Sequence, residues 1–227
     1  MTERETPSVD GLVIGILGGT GDQGRGLARR FALAGHPVII GSRSRERAQA
    51  AALQTGHDVR GLANRDAARE ASVVIAAVPW EGHGDLLSGL AAELAGKIVV
   101  DCVNPLGFDQ RGAYALPVAE GGPAEGSAAE QAAALLPGSR VVAAFHHVSA
   151  VLLLDPEVDT IDLDVLVLGD DRQATDLVQA LAARIPGVRG IYAGRLRNCG
   201  QIEALTANLV SINRRYKAHA GLRITDI

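Results

Sequence analysis

The chain has 227 residues, 47% of them hydrophobic and only 3% aromatic, so alanine, valine, leucine and isoleucine must build its core. That length fits one large domain, or one domain with a smaller companion. A formal net charge of -4 gives no reason to expect a nucleic-acid partner, and no apolar run reaches membrane-spanning length.

Two cysteines, Cys102 and Cys199, lack metal-ligand spacing and are too few for a disulfide framework. Residues 1–10 are polar, contain Pro7 and lack the basic-then-apolar order of a signal peptide. A soluble cytoplasmic protein is expected.

Residues 12–17 read as a short apolar strand, followed by a glycine-rich turn and a helix over residues 23–34. Gly19, Gly21 and Gly24 supply the G-x-G-x-x-G spacing of a dinucleotide site. On this reading Gly19 allows the tight turn, Gly21 lets the backbone approach a pyrophosphate, and Gly24 lets the helix pack on the strand. The diphosphate would rest on the free N–H groups at the helix N-terminus. Gly35 ends the helix, and residues 38–40 form the second strand.

An NAD enzyme usually places an acid roughly 20 residues past the glycines to bind the ribose 2′-hydroxyl. Here stand Ser42, Arg43, Arg45 and Arg47 with the single acid Glu46. An arginine fork grips a 2′-phosphate that a carboxylate would repel, which favours NADP. The other reading of these residues is a solvated, mixed-charge helix start. Arg45 points away from Arg43 and Arg47 in a helical frame.

Alternation of strands and helices then continues, which predicts a parallel α/β sheet. Residues 59–62 form a third strand, and Asn64 caps a brief helix through residue 70. The apolar run 73–78 suits a strand buried on both faces. A helix over residues 81–95 and a strand at 98–100 follow. Residues 106–126, rich in glycine and proline, read as an irregular loop. Ser127 and Glu130 form a capping box for a helix to residue 135, and residues 141–145 form the sixth strand.

Beyond His147 the rhythm changes, which divides the chain into a dinucleotide-binding domain over 1–137 and a small C-terminal domain over 138–227. The latter reads as a strand at 165–168, a turn at 169–171, a helix over 173–184, a strand at 188–192 and a long helix over 198–217. Residues 195–227 carry six basic against two acidic side chains, either a solvated helix face or a dock for an anionic ligand tail.

Ligands of open parallel sheets bind outside the carboxyl ends of the strands. Those ends are residues 18–24, 42–43, 78–80, 103–105 and 146–150, and they should line one crevice. Trp80 either stacks on a ring there or plugs a strand end. His146 and His147 are either a hydrogen-bonded pair at a strand end or contribute to chemistry.

With these residues in place, the chain resembles the NADPH:deazaflavin oxidoreductases, which link NADP to coenzyme F420, an 8-hydroxy-5-deazaflavin. The resemblance runs from Leu12 to the C-terminus. It rests on Leu-Gly-Gly-Thr-Gly at 17–21, Gly-Ser-Arg at 41–43, Pro-Trp-Glu at 79–81, Gly-Asp-Asp at 169–171 and Glu-Ala-Leu-Thr at 203–206. Members carry Lys where Arg47 stands and Thr-Ile-Pro-Ala where this chain has His147-Val148-Ser149-Ala150.

The resemblance implies a Rossmann-type domain followed by a small C-terminal α/β domain. By position, it implies that Thr20, Gly21, Asp22 and Gln23 bind the diphosphate and that Ser42, Arg43 and Arg47 hold the 2′-phosphate. Val78, Trp80 and Ala150 would flank the nicotinamide half, and Val103, Asn104, Pro105 and His146 the deazaflavin. The implied reaction is direct hydride transfer needing no metal and no covalent nucleophile, with backbone N–H groups or His146 managing charge on the deazaflavin. A homodimer completing the crevice is expected by analogy. Two other activities suit the first half of the chain: an NADP-dependent reductase of a small imine or ketone, and a non-catalytic NADP sensor.

Overall fold

Short runs of β-branched residues, such as Val73–Ala76 and Ile98–Asp101, form strands because their stiff side chains pack well on a pleated surface buried on both sides. In the computed structural model, which describes residues 7–227, such runs build one eight-stranded sheet. Part of the polar leader read at residues 1–10 lies outside the described residues. Among the described residues no helix is long and apolar enough to cross a membrane.

The first half of the chain alternates regularly. It runs β1 (Ile14–Leu17), α1 (Asp22–Leu33), β2 (Val38–Ser42), α2 (Arg45–Thr55), β3 (Arg60–Ala63), α3 (Asn64–Glu70) and β4 (Val73–Ala76). Next come α4 (His83–Ser88), α5 (Ala91–Leu94), β5 (Ile98–Asp101), the hairpin β6 (Leu106–Asp109) and β7 (Gly112–Ala115), α6 (Ala128–Leu135) and β8 (Arg140–Ala143). The remainder is α7 (Ala150–Leu154), β9 (Leu163–Gly169), α8 (Arg172–Ala182), β10 (Val188–Gly194) and α9 (Cys199–Tyr216).

The sheet order is β10-β9-β8-β5-β4-β1-β2-β3, with every pairing from β3 through to β8 parallel. That six-strand order is the doubly wound Rossmann arrangement, and its direction reverses between β1 and β4. Residues alternate between two cores. Ile14, Ile16 and Ile75 pack with Leu27 and Phe31 of α1, whereas Leu17, Val74 and Ala76 pack with Ala67 of α3 and Leu87 of α4. Each of the larger of these side chains contributes about 1.5–3 kcal/mol on burial.

The division near residue 137 lies between α6 and β8, and β8 pairs in parallel with β5. Several expectations of local structure need correction. The helix expected over 81–95 is a 3-10 turn (Trp80–Gly82) followed by two short helices broken at Gly89, where glycine's entropy disfavours continuation. Residues 106–126 are not wholly irregular. They contain the β6–β7 hairpin, which packs on α9, and pairing of two strands against a helix is a tertiary event that no local pattern announces. The helix α7 was not anticipated at all.

Strand β9 runs antiparallel to β8 but meets it at two positions only, Val142↔Gly169 and Ala143↔Leu168. The rest of that edge needs other partners for its buried backbone groups. The Leu166 N–H donates to Nε2 of His147 (3.4 Å), and the Asp164 N–H donates to the Leu222 carbonyl of the C-terminal tail (2.8 Å). The tail is fixed in turn by Arg223 and the Ile224 N–H on the Asp164 carboxylate, which Arg189 also grips through two bonds of 2.7 Å. These contacts, Arg189 foremost, hold the Asp164 carboxyl well below the usual carboxylate range.

Candidate active site

The crevice begins at the turn between β1 and α1. Gly18, not Gly19, takes the positive φ of +65° that the tight turn requires. Its N–H donates to Oδ1 of Asn64 (3.2 Å), and the Gly19 N–H donates to the Gly41 carbonyl (3.0 Å), so the turn is stapled to β2 and α3. Asn64 was expected to cap α3. It is instead the first helical residue, and its side chain serves the glycine turn.

The close helix–strand approach expected of Gly24 is present: a Cβ there would lie 2.4 Å from the Gly19 Cα. Gly21 is the N-cap of α1, has no side-chain cap, and faces open space. The first N–H groups of α1, from Asp22 through Gly24, therefore lie beside an open approach, the arrangement that binds anions at a helix start. Asp22 pairs with Arg25 at 2.7 Å. The Gln23 side chain donates to the Phe145 carbonyl (3.2 Å), which leaves only its main-chain N–H for an anion.

At the end of β2, Ser42 is buried, while Arg43, Arg45 and Arg47 are exposed. None of the three has an ion-pair partner among the described residues. Ser44 explains why. It caps α2 by accepting from the Arg47 N–H (3.2 Å) and donates to Glu46 (2.6 Å), and this hydrogen bond holds the Glu46 carboxyl below its ordinary range. The one nearby acid is thus engaged locally, and the arginine heads remain available.

At the end of β4, Val78 packs against Gly18, where an added Cβ would lie 1.9 Å from its Cγ1. Trp80 donates from Nε1 to the Gly121 carbonyl (2.7 Å) and stacks on His83 with centroids 5.5 Å apart. It clamps the segment after the hairpin to the strand end.

At the end of β5, the buried Asp101 is followed by Cys102, Val103, Asn104 and Pro105. Asn104 donates to the His146 carbonyl (2.8 Å), and Thr206 of α9 donates to Asn104 Oδ1 (3.3 Å) and shares the same carbonyl (3.4 Å). These bonds bring the ends of β5 and β8 and the middle of α9 together. Ala150, half-buried, opens α7 just beyond.

Phe145 holds a φ of +65°, a strained value for an aromatic residue and a device by which β8 re-aims the chain. His146 and His147 are both buried but do not bond each other. His147 is engaged with β9, whereas both ring nitrogens of His146 lack a partner among the described residues. Burial lowers both imidazoles, His147 to about 4, so both are neutral near pH 7.

Two groups escaped the sequence reading. His83 and Asp101 form a fully buried pair at 2.6 Å. Glu203 accepts from the Ala128 and Ala129 N–H groups (2.9 and 3.2 Å), capping α6 from within α9. The signal for Glu203 was a lone acid on the stripe Cys199, Glu203, Ala207. His83 gave none, since its partner is distant in sequence. Between the hairpin and α9 lies an open groove of about 710 Å³, walled by Phe108, Val210, Ser211, Arg214, Arg215 and the ion pair Asp109–Arg111.

Residues 13–105, spanning β1 to the end of β5, match the family of coenzyme F420-dependent NADP oxidoreductases. The F420-dependent NADP reductase of Methanothermobacter marburgensis is 41% identical over 95% of this chain and 99% of its own length. The chain belongs to the F420-dependent NADP reductase family. The reductase of Methanocaldococcus jannaschii is likewise 41% identical over 95% of this chain and 99% of its own length. A solved structure of a candidate F420-dependent NADP reductase from Arthrobacter sp. FB24 superposes with a TM-score of 0.81 at 28% identity, covering 95% of this chain and all of that one. The reductase family's likeness to this chain therefore extends past the dinucleotide half to the strand ends and α9, where Asn104, His146 and Thr206 meet.

Proposed function

We propose that the chain transfers a hydride directly between NADP(H) and the deazaflavin coenzyme F420, so that NADPH and oxidised F420 give NADP and reduced F420. The observation that supports this reading is that the carboxyl ends of β1, β2, β4, β5 and β8 lie along one edge of a parallel sheet, in a chain matched along its length by F420-dependent NADP reductases. Full-length matching disfavours the imine or ketone reductase and the NADP sensor.

NADP supplies the hydride position on its nicotinamide and F420 the acceptor position on its central ring. The chain's own part is placement. Thr20, Gly21, Asp22 and Gln23 offer main-chain N–H groups to the diphosphate across the opening left by Gly21. Gly19 and Gly24 keep that turn tight. Ser42, Arg43 and Arg47 hold the 2′-phosphate. Val78 and Ala150 flank the nicotinamide, with Trp80 behind, held by Gly121 and His83. Val103, Asn104, Pro105 and His146 border the deazaflavin.

No side chain need act as acid, base or nucleophile. Charge developing on the acceptor ring falls to backbone N–H groups at the strand ends or to His146, whose neutral ring has two unpartnered nitrogens enclosed beneath them. Holding the two rings face to face removes much of the entropic barrier, and the apolar lining excludes water. The groove beside Arg111, Arg214 and Arg215 suits the phosphate and polyglutamate tail of F420.

The protein acts in the cytoplasm as a homodimer on this reading. The exposed Phe108 (70%) and Tyr216 (73%) support a second copy beside the site. Sedimentation of the purified protein checks the dimer. For the reaction, NADPH is mixed with oxidised F420 and the visible deazaflavin band is followed. Bleaching is expected; a band that stays coloured, or a preference for NADH, refutes the reading.

A further inference from the structure

We propose that His83 is a positioning residue for the acceptor half of this crevice: paired with Asp101 in the interior, it fixes the strand-end segments that follow β4 and β5. The proposal rests on the hydride-transfer reading above. His83 lies at the start of α4, and its side chain is wholly buried. Nε2 lies 2.6 Å from Asp101 Oδ2, and Nδ1 lies 3.0 Å from Oε1 of Gln131 on α6. The amide nitrogen of Gln131 is directed to Glu125 (3.4 Å), which leaves its oxygen for the imidazole. Both ring nitrogens thus face acceptors, and a histidine that donates from both is an imidazolium.

The pair reaches the crevice on two sides. The other oxygen of Asp101 accepts from the Val103 N–H (2.9 Å), which sets the turn carrying Asn104, and Asn104 in turn holds the His146 carbonyl and Thr206. Across β4, the His83 ring lies under Trp80 within cation–π range, at 30° between planes. One buried cation therefore braces two neighbouring strand ends: that of β5, which borders the acceptor ring on this reading, and that of β4, behind the nicotinamide. It touches neither cofactor, so its influence on the reaction is geometric.

The charge balance supports this. Burial opposes the imidazolium, but the hydrogen bond and Coulomb attraction of Asp101, aided by Gln131 and Glu203, outweigh it and hold His83 above its ordinary range. The titratable groups around the pair are Asp101 on β5, Glu203 on α9, Glu125 behind Gln131, Cys199 on α9, and His146, whose ring feels the Asp101 charge. The pairing is complete below the free histidine value of 6.5 and is lost as pH rises through the raised value.

Trp80 is the chain's single tryptophan, so its emission reports the protonation of the ring stacked on it. The test follows this emission and the steady-state kinetics from acid to alkaline pH in the wild type, His83→Gln, Asp101→Asn and Glu203→Gln. The wild type should brighten with a midpoint above 6.5, and its kcat/KM for F420 should fall along the same curve. His83→Gln should lose both transitions and raise KM for F420 about ten-fold, the loss of one charge-assisted bond, while NADPH binding stays within about two-fold. Asp101→Asn should move the emission step below 6.5, because burial is then opposed only by Gln131 and Glu203, the weaker influences on the ring. Glu203→Gln should lower the step far less than Asp101→Asn does, since Glu203 is the smallest of the influences that raise the ring.

A wild-type midpoint at or below 6.5 overturns the proposal even if His83→Gln fails to fold. An unchanged KM for F420 in a folded His83→Gln enzyme overturns the positioning role alone. A wild type that never bleaches F420 overturns the hydride-transfer reading and this role with it.

Discussion

Arg43 meets solvent at the end of β2 with no acid against it among the described residues, because Ser44 has taken Glu46. A guanidinium left without a partner beside a dinucleotide turn is suited to a phosphate, and its value lies in distinguishing NADP from NAD. Arg43→Ala should weaken NADPH by about ten- to a hundred-fold and leave NADH almost unchanged; equal weakening in a binding titration removes the 2′-phosphate assignment. Glu203 offers a second test at this scale. Burial pushes its carboxyl up to about 8, against the Ala128 and Ala129 N–H groups that favour the anion. Since the unfolded chain releases that proton near 4.5, stability should decline between roughly pH 4.5 and 8 as the folded carboxyl is forced to ionise. Thermal unfolding of Glu203→Gln should show a shallower decline across that window, and an identical slope would disprove it.

Among the elements, α1 and β1 depend most on one contact. Gly24 lets α1 pass so near the glycine turn that a methyl group has no room, the turn itself being held by the Gly18–Asn64 hydrogen bond. Gly24→Ala should cost about 1–3 kcal/mol through overpacking and displace the anion-binding N–H groups. A lowered melting temperature with poor NADPH binding is the expected pair of readings, and normal values for both would contradict it. The β8–β9 junction is a different kind of element-level device. There a neutral His147 ring stands in for a missing strand, so acid should loosen it. Its imidazole titrates near 4 when folded, and stability should fall as pH drops from about 6.5 towards that value. Hydrogen exchange at the Leu166 amide, measured across that range, checks it: protection should fall with the ring's protonation.

Over the whole molecule, α9 spans two parts of the proposed site. One is braced by Asn104, His146 and Thr206, and the other is lined by Arg111, Arg214 and Arg215. Eight residues of α9 separate Thr206 from Arg214, about 12 Å of helix rise, enough to separate a ring subsite from a charged-tail subsite. Replacing Arg214 and Arg215 with Gln should raise KM for F420 and leave that for NADPH unchanged. Unchanged values for both would show that the basic end of α9 is only a solvated face.

The sequence by itself determined the alternation that builds the parallel sheet, the glycine turn and the arginine cluster after β2, because these depend on residues close together in the chain whose periodicity and charge act locally. It also placed Val103, Asn104 and His146 at strand ends. Only the tertiary structure decided that residues 106–115 pair as a hairpin on α9, that Trp80 serves Gly121, and that His83 meets Asp101. Each of those contacts joins distant parts of the chain, and burial, not local propensity, selects the partner.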